Sequence, residues 1–195
     1  MAGYVKKGLS NEKTKKRVAY HEAGHAVCGW YLRGGDPLVK LTIIPRSKGA
    51  LGYAQYLPKT AYIRTKSELI DQIAIMLGGT TSEQIFLGGM SSGNSDDLQK
   101  VYSTARRMVT QFGMGARTYN MTLDEQTYVK KESEKLCNIM DEEMLGLVNE
   151  ATERADHIIK EKREIVEHLA KELLEKETLN NEDILRIMGE RPAFN

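Results

Sequence analysis

The sequence places two histidines and a glutamate inside a helix that has little polar surface. The motif His-Glu-x-x-His begins at His21 and lies in a proline-free stretch, residues 13–33, that predicts a helix. Residues four apart share one face of a helix, so His21 and His25 point in the same direction. The surface after His25 is largely apolar, with Val27, Trp30 and Tyr31. We therefore expect a buried helix whose polar groups must find partners inside the fold.

This motif has the spacing of a zinc hydrolase. His21 and His25 can each offer a ring nitrogen to one metal ion, and Glu22 can accept a proton from a water at that ion without occupying it. The plain alternative is two hydrogen-bonded core histidines beside a surface glutamate. The position of the motif in a buried helix favours a metal site.

A catalytic zinc site usually has three protein ligands and one open position. The other two histidines, His157 and His168, lie among charged residues in predicted helices, and we expect them at the surface. Tyr31 stands where one subclass of these enzymes has a third histidine. The third ligand is therefore expected to be a carboxylate.

Two carboxylates compete for this role. Residues 98–112 predict an amphipathic helix, preceded by turn and N-cap residues. When the helical pattern is extended back to the two preceding aspartates, Asp97 falls on the side that borders the core and Asp96 on the solvent side. Glu83 falls on the apolar side of another predicted helix, residues 67–87, where it could ligate the metal or accept a hydrogen bond from a ligating histidine. The phase of the pattern favours Asp97. The alternative is that both aspartates only stabilise a helix N-terminus.

Length and charge set further limits. The 195 residues suit one domain, or one domain with a helical extension. A net charge of +1 gives no sign of the basic surface that nucleic-acid-binding proteins carry. The basic residues at 13–17 are interpreted as a solvated helix start.

Cys28 and Cys137 lack metal-site spacing, and we expect Cys28 to be a small buried residue. No apolar run approaches the roughly 20 residues that cross a bilayer, so this chain by itself is expected to be soluble.

Two short strands interrupt the helical pattern. Residues 38–44 and 51–57 predict a hairpin with a turn at 45–49. The predicted fold is mainly α, a helical zinc-metallopeptidase domain with a small β-hairpin beside the His-Glu-x-x-His helix.

The C-terminal part is charge-rich and helical. Residues 130–176 predict helices with a break near 160–163. A last short helix is expected to begin at Asn180 or Asn181 and to end at Gly189.

Short stretches between residues 18 and 114 carry a resemblance to one known family. They are residues 18–27, 29–32, 36–40, 43–46, 51–58, 77–79, 82–83, 92–98 and 112–114. These stretches resemble the peptidase domain of the FtsH family of membrane-anchored AAA+ zinc metalloproteases, and within it the mitochondrial m-AAA proteases.

The resemblance implies roles for individual residues. It implies that zinc is bound by His21, His25 and Asp97. Glu22 would then be the general base, and Glu83 would be a hydrogen-bond partner of a ligand. It also implies that one strand offers its free edge to an extended substrate, through Gly52, Tyr53, Ala54 and Gln55. The alternative for this strand is a hairpin that only closes the core.

The implied function is a zinc-dependent endopeptidase within an ATP-dependent protease that degrades unfolded or membrane proteins for quality control. We expect a homo- or hetero-hexamer in the mitochondrial inner membrane, or in a plastid or bacterial membrane, with ATP and the membrane bound by segments outside this chain. The expected division is a linker at 1–12, the zinc peptidase core at 13–114 and a helical subdomain for packing and oligomer contacts at 115–195. The alternative function is a catalytically silent helical assembly module that keeps a structural zinc.

Overall fold

The computed structural model describes residues 11–45, 52–57, 63–122 and 133–194. Within these ranges the chain forms six α-helices, a one-turn 3₁₀-helix at Ser92–Asn94 and three strands. The helices are α1 (Glu12–Tyr31), α2 (Lys66–Leu87), α3 (Ser95–Thr110), α4 (Glu134–Glu161), α5 (Arg163–Lys176) and α6 (Asn181–Met188), and the strands are β1 (Leu38–Thr42), β2 (Tyr53–Tyr56) and β3 (Thr178–Leu179). The prediction of a mainly helical fold with a small sheet is confirmed.

The sheet has the order β2–β1–β3, and both pairings are antiparallel. In the central strand, Leu41 lies opposite Ala54 on one side and Leu179 on the other. The sequence predicted the hairpin and missed β3, because two residues are too few to show an alternating pattern. Apart from Pro45, the predicted turn at 45–49 lies outside the described residues, and so does residue 51.

The helices pack into one core. α1 contacts α2 and α5, and α2 contacts α3 and α4. Buried side chains of these helices meet the inner face of β1, where Leu38 and Leu41 are fully buried. The division at residue 114 stays a prediction, and the helices on its two sides pack against one another.

Helix ends follow the predicted signals closely. The break between α4 and α5 falls at Lys162, inside the predicted interval. Asn180 caps α6 by accepting a hydrogen bond from the Asp183 backbone N–H, and the Asp183 carboxylate accepts one from the Asn180 backbone N–H. Gly189 ends this helix with φ of 73°. Local capping chemistry therefore defines the C-terminal elements.

α1 and α2 cross at very short range. A Cβ on Gly24 would overlap the carbonyl oxygen of Gly78 and lie 2.6 Å from Cβ of Ser82. The Ser82 hydroxyl donates to the carbonyl of Tyr20 at 2.6 Å, which ties the two helices together one turn away. α2 stays continuous through Gly78 and Gly79. Glycine at the crossing lets the two backbones touch.

The chain after α3 is fastened to α4 by Glu143. Its carboxylate accepts hydrogen bonds from the Thr118 hydroxyl and the Arg117 backbone N–H. Burial raises the pKa of Glu143, but the hydrogen bonds from Thr118 and from the backbone of residues 116–118 outweigh it, so the pKa lies below its usual value. The charged form of Glu143 therefore holds this loop in place.

Substitution of Gly24 tests the helix crossing. Gly24→Ala should lower the free energy of unfolding by about 1–3 kcal/mol, because the added methyl group has no space between the two backbones. Urea unfolding in the presence of a chelator measures this change without a contribution from bound metal. The control is Gly146→Ala in α4, where nothing lies within 4 Å of an added Cβ. It should raise stability by up to about 1 kcal/mol. Equal stability of the two variants would contradict the close crossing.

Substitution of Glu143 tests the loop anchor. Glu143→Gln should lower the free energy of unfolding at about pH 7 by roughly 1–2 kcal/mol. A carboxylate whose pKa is lowered in the folded state stabilises the protein above its unfolded pKa, near 4.5, and loses that contribution as the pH falls through the folded pKa. The difference between wild type and variant should therefore shrink with decreasing pH in urea unfolding. Glu142→Gln is the control, because the Glu142 side chain is 68% exposed, and it should change little at any pH.

Candidate metal centre

His21, His25 and Asp97 converge on one point. Nε2 of His25 lies 2.9 Å from Nε2 of His21 and 3.1 Å from Oδ2 of Asp97, and Nε2 of His21 lies 3.3 Å from the same oxygen. Zinc–nitrogen bonds of about 2.0–2.1 Å at tetrahedral angles put ligand atoms roughly 3.3 Å apart. The three side chains are thus spaced closely enough to hold one metal ion.

In each imidazole ring, Nδ1 is the outer nitrogen, which does not face the other two converging side chains. It lies within hydrogen-bond distance of an acceptor oxygen. Nδ1 of His25 donates to the carbonyl oxygen of Ile75 at 2.7 Å, and Nδ1 of His21 lies 3.0 Å from Oε1 of Glu83. Because a carbonyl only accepts, the proton of a neutral His25 is on Nδ1 and Nε2 carries a lone pair. Two ring lone pairs and a carboxylate oxygen then face one another, and this donor set fits Zn²⁺.

Helix phase brings the third group to the histidines. Asp97 lies in the first turn of α3 and is half-buried, with Oδ2 toward the histidine rings and Oδ1 3.2 Å from Nζ of Lys100. Asp96 is exposed. The inward position of Asp97 agrees with the row to which the sequence pattern assigned it.

Glu83 lies behind His21 and outside the point of convergence. Its Oε1 is within hydrogen-bond distance of His21 Nδ1, the Ser91 hydroxyl at 3.1 Å and the Asn94 amide at 3.4 Å. Its Oε2 accepts from Arg17 at 2.6 Å. With both oxygens engaged, Glu83 fits the role of a hydrogen-bond partner of His21 better than that of a ligand.

Glu22 is buried beside the histidines and packs against the polypeptide backbone at Gly52. A Cβ at Gly52 would lie 2.7 Å from Oε1 of Glu22, so any side chain at position 52 would displace the carboxylate. Burial raises the pKa of Glu22, and the nearby His25 and His21 lower it by less. A raised pKa makes the Glu22 carboxylate a stronger proton acceptor.

A cleft of about 750 Å³ opens in front of these residues. Its lining includes the outer strand β2 with the residue before it, and part of α2. The strand side contributes Gly52, Tyr53, Ala54 and Tyr56, and α2 contributes Gln72, Ile75 and Met76. The side chain of Gln55 is exposed and does not line the cleft.

The sequence matches the model of peptidase family M41 over residues 9–187. The chain belongs to peptidase family M41. It is 42% identical to the ATP-dependent zinc metalloprotease FtsH of Rhodothermus marinus over 98% of its length. It is 45% identical to the mitochondrial inner membrane m-AAA protease component AFG3L2 of Mus musculus over 91%, and 40% identical to the component YTA10 of Saccharomyces cerevisiae over 98%.

These comparisons confirm the predicted family and the class of zinc metallopeptidase. The M41 chain spans 29% of the Rhodothermus protein, 23% of AFG3L2 and 26% of YTA10. It therefore corresponds to less than a third of each relative. None of its described helices combines the length and the apolarity that are needed to cross a membrane.

The contacts of Arg17 in this M41 domain differ from those that the sequence predicts. The sequence predicts that it belongs to a solvated basic start of α1, whereas its guanidinium donates to Glu83 and to the carbonyl of Gly89, both at 2.6 Å. The signal was present in the spacing, because Arg17 and His21 are four residues apart and share one helix face.

Asn94 is one of the residues before α3 for which the sequence predicts turn and N-cap chemistry, and its side chain has another role. It occupies the N-cap position of α3 but makes no side-chain capping bond. Its buried amide instead accepts from the Thr80 hydroxyl at 2.9 Å and donates to Glu83 at 3.4 Å. Nothing in the sequence around residue 94 indicates these contacts, since they depend on how the start of α3 packs beside the end of α2.

Carboxylates surround His21 with negative charge. Burial lowers the pKa of His21, but hydrogen bonds to Asp97 and Glu83 raise it to about 9. Burial raises the pKa of Asp97, but its contacts with His21 and His25 hold that pKa far below its usual range. The electrostatic environment of the two histidines therefore favours a cation.

The remaining candidate groups lie away from His21, His25 and Asp97. His157 and His168 are exposed and lie near Glu161 and Glu172, at 3.4 and 3.5 Å. Cys28 is fully buried, and burial raises the pKa of its thiol to about 12. As expected from the sequence, it is a small core residue.

The two adjacent aspartates allow a matched test of the metal centre. Asp97→Ala should weaken zinc binding by about 100-fold or more, because a direct ligand should cost at least as much as an outer partner. Asp96→Ala should leave the affinity unchanged, since that side chain is exposed and lies outside the group of converging ligand atoms. Competition with a chromophoric chelator measures both values. Equal losses in the two variants would show that the helix start, rather than the Asp97 carboxylate, is responsible.

Proposed function

We propose that this chain is the zinc-dependent endopeptidase domain of an ATP-dependent, membrane-anchored AAA+ protease. The observation that carries the proposal is the convergence of His21, His25 and Asp97, with buried Glu22 beside them, in a cleft walled by an outer strand. Membership of peptidase family M41 supports the same reaction.

His21, His25 and Asp97 would hold Zn²⁺, and Glu83 would orient His21. When bound, zinc lowers the pKa of a coordinated water to about 7 and polarises a carbonyl group. Glu22 accepts the proton of the attacking water and then delivers it to the nitrogen of the leaving amine. Its burial favours this second step, because a carboxylate with a raised pKa holds a proton long enough to transfer it.

The substrate is proposed to be an extended polypeptide. β2 is an outer strand of the sheet, and it lies along the cleft that contains Glu22. Backbone pairing with residues 52–55 would align a peptide bond with the metal centre while accepting many side chains. Such pairing suits a protease that degrades unfolded or membrane proteins in quality control.

The wider context is proposed from the relatives. Their names describe ATP-dependent zinc metalloproteases and components of a mitochondrial inner membrane protease. We propose that ATP and the membrane are bound by parts of the full-length protein outside this chain, that the subunits form a homo- or hetero-hexamer, and that the C-terminal helices contribute to its contacts. The mitochondrial inner membrane is the proposed location, with plastid or bacterial membranes as alternatives.

Glu22→Gln tests the assigned base. The variant should bind zinc with unchanged affinity and lose at least about 100-fold in the cleavage of casein, because it keeps the metal ligands and removes the proton acceptor. Casein is chosen since it is already unfolded and needs no ATP-driven unfolding. Glu12→Gln, an exposed residue of α1, is the control and should cleave as wild type does.

The outcomes separate the candidate functions. Cleavage retained by Glu22→Gln would exclude this residue as the base. Wild-type protein that binds zinc and cleaves neither casein nor short peptides would support the silent assembly module instead.

A further inference from the structure

Arg17 and His21 hold the same carboxylate from successive turns of α1. Arg17 Nη1 donates to Oε2 of Glu83 at 2.6 Å, and His21 Nδ1 lies 3.0 Å from Oε1. Glu83 comes from α2, so its side chain crosses the space between the helices and contacts α1 at two points. The orientation of the carboxylate is therefore set from α1 at both oxygens.

Arg17 also fixes the end of α2. The same Nη1 donates to the carbonyl oxygen of Gly89 at 2.6 Å, one residue beyond the left-handed Gly88 that ends the helix. Arg17 thus links α1, the side chain of Glu83 and the backbone that follows α2. The guanidinium is itself partly covered, with 33% of its side chain exposed, whereas that of Glu83 is 2% exposed.

We infer that Arg17 is a positioning residue of the zinc centre: by holding Oε2 of Glu83 it keeps Oε1 directed at Nδ1 of His21. This inference rests on the proposed function. The two oxygens have different partners, because Oε1 faces His21, Ser91 and Asn94 while Oε2 accepts from Arg17. Loss of Arg17 lets the carboxylate turn, and His21 then loses the acceptor that orients its ring.

The size of the effect follows from the length of this chain of contacts. Outer partners of metal-binding histidines typically contribute 10- to 100-fold to metal affinity. Arg17 acts one contact further out, through Glu83, so Arg17→Gln should weaken zinc binding by about tenfold, at the lower end of that range.

A second arginine provides a matched control. Arg64 donates to the carbonyl of Gly34 at 2.9 Å and pairs with Asp36 at 3.4 Å, and its side chain is 30% exposed. It therefore makes the same two kinds of contact as Arg17, at nearly the same exposure, but does not touch the metal centre. Arg64→Gln should leave zinc affinity unchanged even if it lowers stability.

The experiment measures zinc affinity by chelator competition in the 195-residue chain and in Arg17→Gln, Glu83→Gln, the double variant and Arg64→Gln. Circular dichroism checks that each variant folds. Absorption of the Co²⁺-loaded proteins reports the geometry of the ligands independently of peptidase activity. If Arg17→Gln does not fold, Arg17→Lys replaces it. Its expected loss is smaller because lysine keeps the positive charge, but it is not zero because a single ammonium group matches the two acceptors less well than a guanidinium.

The double variant decides the mechanism. If Arg17 acts through Glu83, the double variant should bind zinc as weakly as Glu83→Gln alone, since the second substitution has nothing left to disturb. Additive losses, unchanged affinity in Arg17→Gln, or an equal loss in Arg64→Gln would each overturn the inference. Wild-type protein that binds no zinc would instead refute the proposed function itself.

Discussion

The packing of α1 directly on the backbone of α2 determines the geometry of the proposed metal centre. At the crossing, the imidazole rings of His21 and His25 lie against Gly79, where a Cβ would come within 2.6 Å of the His25 ring nitrogen. This contact puts the outer nitrogen of His25 beside the Ile75 carbonyl and that of His21 beside Glu83. α2 therefore provides the surface on which both rings are oriented, while α3 provides the third group.

The elements that the sequence predicted well are those with a local signal. Helical periodicity gave the bounds of α1 and α2 to within two residues, and the phase of α3 selected Asp97 over Asp96. Capping residues located α6. In each case the information lies within one or two turns of the chain, where the physical chemistry of the helix acts directly.

The features that the sequence did not predict depend on contacts between different elements of the fold. Asn94 is an ordinary N-cap residue in sequence, and only the packing of the α3 start beside α2 turns its amide toward Thr80 and Glu83. β3 exists because the end of α5 returns to β1. The spacing of Arg17 from His21 indicates that the two share a helix face, but the sequence does not show that the buried carboxylate of Glu83 lies opposite them.

The orientations of the two histidine rings depend on different kinds of hydrogen-bond acceptor. The acceptor for His25 is a main-chain oxygen, so it persists whatever side chain evolution places at position 75. The acceptor for His21 is the side chain of Glu83, so it persists only if Glu83 and its neighbours are not substituted. Amino-acid substitutions in evolution can therefore change the orientation of the His21 ring while that of the His25 ring is kept.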